Sequence, residues 1–248
     1  MVFFYYIVLF AIAAVSSVDS VTPTNQLLEK QILSVLNKWR EGGVQTNLFP
    51  LPPLNLININ PIDSYYDQRG IKITFSIGDM KLRGLDNFTV EYLKVTQSLD
   101  DIRISVKVFV PDLTISSDRY NLKGRAYFLY PLEGFGKMSA MFRNVDASLS
   151  VNFANVGDVG IKIDDFILNF SAGSVDVDLE NSTWPINHVL NKEGVEIIKN
   201  FHEDIVNIVQ DYAVPYVNDY LAKVTPREFL KIATNIGENS YVINNNIK

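Results

Sequence analysis

The sequence contains no cysteine among its 248 residues and has only two histidines. The missing cysteines exclude disulfide bonds, a thiolate nucleophile and cysteine-bound zinc. His188 and His202 are 14 positions apart on one predicted helix, which separates them by about 21 Å, too far to share a metal ion. The Gly-x-Ser-x-Gly and His-Glu-x-x-His motifs are also missing. We therefore expect no enzymatic activity, no metal site and no cofactor.

The carboxylates do not indicate a catalytic pair. Asp176 and Asp178 alternate with apolar residues on a predicted strand, so they should face solvent. Asp164 and Asp165 stand where the apolar alternation changes phase, which predicts a β-bulge. The segment Gly134-Phe-Gly-Lys-Met-Ser139 lacks a dinucleotide-binding fingerprint and follows a proline, so we interpret it as a turn.

One long apolar run without charge occupies the N-terminus, from Val2 to Val15. This run is short for a membrane span, and small residues follow it, so we predict a signal peptide over residues 1–17. The remaining residues, 18–248, have the length of one domain, which we expect to be secreted and extracellular. No second run of about 18 apolar residues occurs, and a stable membrane span is therefore not expected.

Charge and glycosylation motifs fit a secreted protein. The formal net charge is -6, which argues against nucleic acid and against electrostatic docking on anionic membranes. Asn87, Asn169 and Asn181 each begin an Asn-x-Ser/Thr sequon. The three sequons predict a glycoprotein.

Apolar residues at helical spacing predict two amphipathic helices. The first runs from Asn25 to Glu41 and ends at a glycine pair. The second runs from Pro185 to Val224, and Pro215 inside it predicts a kink between Asp211 and Pro215. The apolar stripe of the first helix is Leu28, Ile32, Val35, Leu36 and Trp39. The polar ridge of the second helix is Lys192, Glu196, Lys199, Glu203, Asn207 and Gln210.

Residues 71–179 between the helices alternate apolar and polar side chains in several long stretches. Each stretch predicts a strand with one buried face and one solvated face, as in antiparallel sheets. The order of helix, long antiparallel meander and long helix predicts the α+β class.

Several motifs resemble those of the arthropod juvenile hormone-binding and takeout proteins. The segment Val110-Pro-Asp-Leu-Thr-Ile-Ser-Ser-Asp-Arg-Tyr-Asn-Leu-Lys-Gly124 is followed by Tyr130-Pro-Leu-Glu-Gly-Phe-Gly136, which is similar to the central signature of these families. Leu82-Arg-Gly-Leu-Asp-Asn-Phe88 and Pro185-Ile-Asn-His-Val-Leu-Asn191 also resemble family elements. Takeout-type members carry an N-terminal cysteine pair that is absent here. The mite group 7 allergens also lack this pair, so the mite group 7 allergen-like branch stays open as the part of the family that the chain resembles more.

This resemblance implies a fold and a function. The fold would be a long, kinked C-terminal helix wrapped by a highly curved antiparallel sheet, with an N-terminal helix, forming a super-roll around an apolar tunnel. The function would be that of a secreted carrier for a hydrophobic small molecule, such as a terpenoid hormone, a fatty acid or another lipid. The residues that we expect to line the tunnel are Val106, Val108, Phe128, Tyr130, Phe166, Leu168, Phe170, Ile197, Phe201, Ile205, Ile208 and Tyr212.

Two other functions stay open at the level of sequence. A secreted interaction protein with a filled core could engage a receptor or a microbial lipid through its surface. Continuous packing from Ile102 to Ile208 would favour that alternative. An enzyme acting on lipids would require a buried carboxylate beside His188 or His202.

Overall fold

The computed structural model of the protein describes residues 25–42, 53–68, 70–98, 101–127, 129–155 and 160–222. The predicted signal peptide lies outside these residues. The described part forms eight strands in one curved antiparallel sheet together with three α-helices, which confirms the α+β class. The elements are α1 (Asn25–Gly42), β1 (Ile57–Ile59), β2 (Ile62–Gln68), β3 (Ile71–Ile77), β4 (Met80–Arg83), a 3-10 turn (Leu85–Asn87), β5 (Thr89–Gln97), β6 (Asp101–Ala126), β7 (Tyr130–Asn155), β8 (Ile161–Leu179), α2 (Ile186–Asn200) and α3 (His202–Leu221).

Two strands of 26 residues each, β6 and β7, form the centre of the sheet. They pair with each other over almost their whole length. The other edge of β6 is shared by three short strands in succession, β5, β4 and β3. Strands β1 and β2 extend this side by pairing with β4 and β3, and β8 pairs with the other edge of β7. The sheet therefore has β8 at one edge and short strands at the other.

A crease crosses the three longest strands at one level. In β6 the buried positions are even-numbered up to Val110 and odd-numbered at Leu113 and Ser117, and a second irregularity after Ser117 returns them to an even number at Tyr120. The phase changes in β7 at Asn144, which has a φ of 50°, and in β8 at Gly173. Pro111, Asn144 and Gly173 occupy one row across the ladder. Because alternation is interrupted in all three strands at this row, the sheet bends there while its apolar face stays on one side.

The crease divides the sheet into two parts. We call residues 89–98, 101–110, 145–155 and 161–172 the proximal half, and residues 57–68, 70–83, 112–126, 130–143 and 174–179 the distal half. Gly84 lies beside the crease with a φ of 95°. A Cβ atom there would lie 2.1 Å from the carbonyl oxygen of Asp112, so the approach of the two backbones requires glycine.

The predicted β-bulge in β8 is confirmed. Asn152 of β7 pairs with Asp165, whereas the next residue, Phe153, pairs with Ile163. Asp164 is therefore the extra residue, and its carboxylate accepts a hydrogen bond of 2.9 Å from the Asn152 side chain. This bulge explains why the buried positions of β8 change from odd to even numbers after Ile163.

The hydrophobic core lies mainly under the proximal half and reaches past the crease to β1 and β4. Helix α1 covers β5 and buries the five residues predicted for its apolar stripe. The Glu29 carboxylate accepts a hydrogen bond of 3.0 Å from the backbone N–H of Val95, which attaches α1 to the free edge of β5. Helix α3 contributes Val209, Val217 and Leu221 to the core. The inner face of the proximal half is thus closely packed, by α1 near β5 and by α3 near β8.

The outer face of the sheet carries exposed ion pairs. Lys107 contacts both Glu91 and Asp146, at 2.6 and 3.0 Å. Arg143 pairs with Asp176, which is exposed as predicted. Ion pairs in water contribute little each, so these pairs chiefly keep one face of the sheet solvated.

The glycine-rich segment beginning at Gly134 was predicted as a turn, and the structure corrects this interpretation. Gly134 lies inside β7 and pairs with Leu122. A Cβ atom at Gly134 would lie 2.4 Å from the Tyr120 hydroxyl, which donates a hydrogen bond of 2.6 Å to the carbonyl of Glu180. The glycine makes room for a tyrosine within the sheet, and a sequence pattern does not distinguish this role from a turn.

We predict that Gly84→Ala destabilises the protein by about 2–4 kcal/mol, because alanine disfavours this φ and its Cβ would clash with the Asp112 carbonyl. Gly42→Ala is the matched control, since nothing lies within 4 Å of a Cβ at Gly42. Urea unfolding of both variants measures the difference. Equal unfolding free energies would show that the crease accommodates a side chain.

Candidate ligand-binding site

The helical segment predicted from Pro185 to Val224 is divided into two helices. Helix α2 ends at Asn200, α3 begins at His202, and Phe201 between them has a ψ of 8°. The interruption thus precedes the predicted kink, and α3 continues through Pro215 to Leu221. A physical reason is the crease in β8: α2 packs on the distal part of this strand and α3 on the proximal part, and a straight helix does not follow a bent strand.

Asparagine side chains attach both helices to the free edge of β8. Asn187 of α2 accepts a hydrogen bond of 3.0 Å from the N–H of Leu179 and donates one of 3.2 Å to its carbonyl. Asn191 bonds the N–H and the carbonyl of Val177 in the same way. Asn218 of α3 does so at Ile163, with distances of 2.7 and 3.3 Å. We call these three residues the amide clamp, because each amide replaces the backbone of a missing neighbouring strand.

Helix α2 is much less covered than α1. Gly194 is its one fully buried residue, and it allows close packing on Val175, whose Cβ would lie 2.9 Å from a Cβ at Gly194. The apolar residues Leu190, Ile197 and Ile198 are only partly buried. The polar ridge predicted along α2 and α3 is exposed at every position. An apolar stripe therefore faces inward without being filled by the described side chains.

The inner face of the distal half shows the same incomplete cover. Ladder partners place Ile73 beside Tyr66, and Phe75 beside Leu122, on the face that is continuous with the core. Burial along this face falls with distance from the crease: Leu82 is 2 % exposed, whereas most residues farther out, Tyr120 being one exception, are only partly buried. These partly buried residues are Tyr66, Ile71, Ile73, Phe75, Ile77, Leu122 and Leu132.

The helix junction connects the two edges of the sheet. The ring of Phe201 contacts that of Tyr66 on β2 edge-on, with centroids 6.2 Å apart. The adjacent His202 stacks on Phe170 of β8 at 4.9 Å. Contacts from neighbouring residues to opposite edges of the sheet require the sheet to curve around the junction. An open cavity of about 470 Å³ lies beside His202, between β8 and the ends of the two helices.

The residues predicted to line a tunnel are distributed over several environments. Val106, Phe166 and Leu168 lie in the packed core, and Val108 packs against it. Phe170, Ile197, Phe201 and Ile205 are partly buried along the helices and β8. Tyr130 is exposed at the far end of the sheet and does not join them. Phe128 and the side chains of Ile208 and Tyr212 lie outside the described residues.

Sequence reasoning did not select the distal face or the amide clamp. The alternation in β3 was a sufficient signal for an apolar face, but it does not distinguish a filled face from an open one. Asn187 and Asn191 lie four residues apart on one helix face, and in the sequence they stand out only as part of a family motif. Their role depends on an unpaired strand edge, which is a tertiary feature.

The chemistry available is that of an apolar surface. No group of three or more possible metal-ligating side chains occurs among the described residues. His188 is exposed, and His202 contacts an aromatic ring. Burial raises the pKa of Tyr120, whose hydroxyl donates a hydrogen bond to the backbone carbonyl of Glu180. The arrangement suits non-covalent binding of an apolar molecule.

The comparisons with known proteins identify the family. The profile described as Haemolymph juvenile hormone binding protein (JHBP) matches residues 8–231. The chain therefore belongs to this family, and the resemblance seen in its motifs is confirmed. A search of curated protein sequences found no significant match.

Solved structures support the same fold. The crystal structure of Epiphyas postvittana Takeout 1 matches with a TM-score of 0.55 and 18% sequence identity, covering 81% of this chain and 93% of that chain. A crystal structure of lipopolysaccharide binding protein matches with a TM-score of 0.35 and 8% identity, covering 78% of this chain and 37% of that chain. The second similarity is too low to support an argument.

We predict that Asn187→Leu lowers the free energy of unfolding by about 1–2 kcal/mol, because the N–H and carbonyl of Leu179 lose their partner. The same substitution at Asn207, which is exposed on α3, is the control. Hydrogen exchange of the Leu179 amide should become faster only in the first variant. Unchanged exchange would mean that the clamp does not protect the edge of β8.

Proposed function

We propose that the protein is a secreted carrier that binds a hydrophobic small molecule between α2 and the distal half of the sheet. The observation that carries this proposal is the contrast between the two halves. The proximal half is packed against α1 and α3, whereas apolar residues of the distal face and of α2 are left partly exposed. A terpenoid, a fatty acid or another lipid would complete their burial.

The binding free energy would come from removing apolar surface from water, at about 25 cal/mol for each Å². Part of this gain offsets the loss of translational and rotational freedom of the ligand. Phe170, Ile197, Phe201 and Ile205 would form the wall nearest the helices. Val106, Phe166 and Leu168 would close the inner end of the space, because the core fills the region behind them.

The attachments of α2 suggest how the ligand space opens. One side of α2 is held to β8 by Asn187 and Asn191, while the junction at Phe201 reaches Tyr66 through a ring contact. A ring contact is weaker than paired hydrogen bonds to a strand edge. We therefore place the hinge at the amide clamp and the opening at the Tyr66–Phe201 contact.

The alternative function, a filled-core interaction protein, has support in the proximal half only. Ile104, Leu149, Val151 and Val209 are buried there, as that function requires. The distal face is not filled by the described residues, and this observation favours the carrier.

Secretion and glycosylation form part of the proposal. Asn87, Asn169 and Asn181 are all exposed, as attachment of a glycan requires. The Asn181 side chain donates a hydrogen bond of 3.2 Å to the Phe135 carbonyl, which is at the surface and easily replaced by water.

We predict that Ile73→Glu weakens uptake of an apolar fluorescent probe, N-phenyl-1-naphthylamine, by at least about tenfold, because a carboxylate in an apolar space is poorly solvated. Thr74→Glu is the matched control, since Thr74 is exposed on the opposite face of β3. Titration of the lipid-extracted protein measures both affinities, and circular dichroism checks folding.

Native mass spectrometry before and after organic extraction should show the loss of a bound lipid. A protein that carries no lipid and takes up no probe would overturn the carrier proposal. Equal weakening by both glutamates would place the probe outside the distal space.

A further inference from the structure

The most exposed large hydrophobic residues gather at one end of the molecule. Among the described residues, five large hydrophobic side chains are more than 60 % exposed, and all belong to β7, to the turn before it, or to the connection between β8 and α2. They are Tyr127 (66 %), Leu129 (82 %), Tyr130 (66 %), Phe135 (63 %) and Trp184 (87 %). We call this set the distal tip.

Backbone contacts bring the parts of the distal tip together. The N–H of Tyr127 donates a hydrogen bond of 2.7 Å to the carbonyl of Gly70, so the β6–β7 turn lies against the β2–β3 turn. The hydroxyl of Thr183 donates to the carbonyl of Pro131, at 3.3 Å, and the N–H of Thr183 donates to Glu133. These bonds hold Thr183, and with it the next residue, Trp184, at the start of β7.

The described residues around the tip carry nearly balanced charge, although the whole chain has a net charge of -6. Ladder partners place Lys72 beside Arg125, and Lys123 beside Glu133, on the outer face next to the turns. Asp67 pairs with Lys72 at 3.3 Å. Among the described residues next to these turns, three cations thus stand against two carboxylates, and this part of the tip neither repels a zwitterionic surface nor strongly attracts an anionic one.

The shape and chemistry of the tip fit a lipid surface better than a protein. The exposed side chains project from turns and from a strand end, so a rigid partner would need a deep, matching recess, whereas a lipid interface deforms around them. Tryptophan and tyrosine place an apolar ring in the hydrocarbon boundary and a polar group in the headgroup layer. No helix in the described part of the chain is long and apolar enough to cross a membrane.

We propose that the distal tip inserts into the interfacial layer of a zwitterionic phospholipid surface. The incompletely covered apolar face ends at this tip, because Ile71 and Leu132 lie next to the turns. A docked protein would present that face to the membrane, where an apolar ligand is dissolved. Docking goes beyond ligand carriage and is measured without any ligand, so the two proposals fail independently.

The two tryptophans of the chain provide a direct measurement. Trp184 is 87 % exposed, and Trp39 is 3 % exposed in the core. Adding phosphatidylcholine vesicles to the lipid-extracted protein should shift the emission of Trp184 to shorter wavelength. Brominated phosphatidylcholine should quench that emission. The variant Trp184→Phe, which retains Trp39, should show neither change.

Flotation with the same vesicles tests the tip by substitution. Leu129→Asp should reduce the bound fraction about tenfold, because a leucine side chain no longer enters the lipid. Ile167→Asp is the matched control, since Ile167 is 46 % exposed on β8 and far from the turns. Its binding should equal that of the unchanged protein, and probe uptake in solution should be the same for both variants.

Four results would overturn the proposal. The first is no flotation and no change in Trp184 emission. The second is equal loss of binding in Leu129→Asp and Ile167→Asp. The third is self-association in sedimentation experiments that protects Trp184 without lipid, which would assign the tip to a second copy of the chain. Binding that appears only with phosphatidylserine and disappears in salt would also contradict a zwitterionic surface.

Discussion

The architecture depends on how the free edge of β8 is satisfied. An unpaired strand edge exposes a row of N–H and carbonyl groups, and it invites pairing with other chains. Here Asn187, Asn191 and Asn218 supply both a donor and an acceptor to this edge. Glu29 supplies only an acceptor, for one backbone N–H at the edge of β5. Because side chains take the place of another strand, the sheet ends at β8 and helices lie along its edge.

The position of the helices follows from that constraint together with the crease. A helix bonded to β8 must bend where β8 bends, and the helical segment is interrupted at Phe201 near this level. The interruption frees Phe201 to reach Tyr66 on the opposite edge. The same crease separates a half that is packed by α1 and α3 from a half whose apolar face is partly open. Stability and binding capacity are thereby assigned to different parts of one sheet.

The sequence predicts what depends on local periodicity and misses what depends on tertiary geometry. The stripe of α1 and the bulge at Asp164 follow directly from the spacing of apolar residues. The crease is harder to predict, because Pro111, Asn144 and Gly173 share no pattern and meet only through register. From the sequence, a lining residue is recognised only by being apolar and on the inward face. This criterion does not separate Phe166, which is packed in the core, from Ile73, which is partly open.

The lack of cysteine is consistent with this division of roles. A disulfide stabilises mainly by restricting the unfolded chain, and a domain of this size can instead rely on its core. The core of the proximal half joins α1, both central strands, β8 and α3, so most of the chain is fixed without any contribution from the far distal face. Apolar residues such as Ile73 and Phe75 can then stay partly uncovered at a modest cost in stability. A binding space needs apolar residues that the folded protein can leave uncovered. A face whose burial was required for folding would be filled by the protein's own side chains and would leave no room for a ligand.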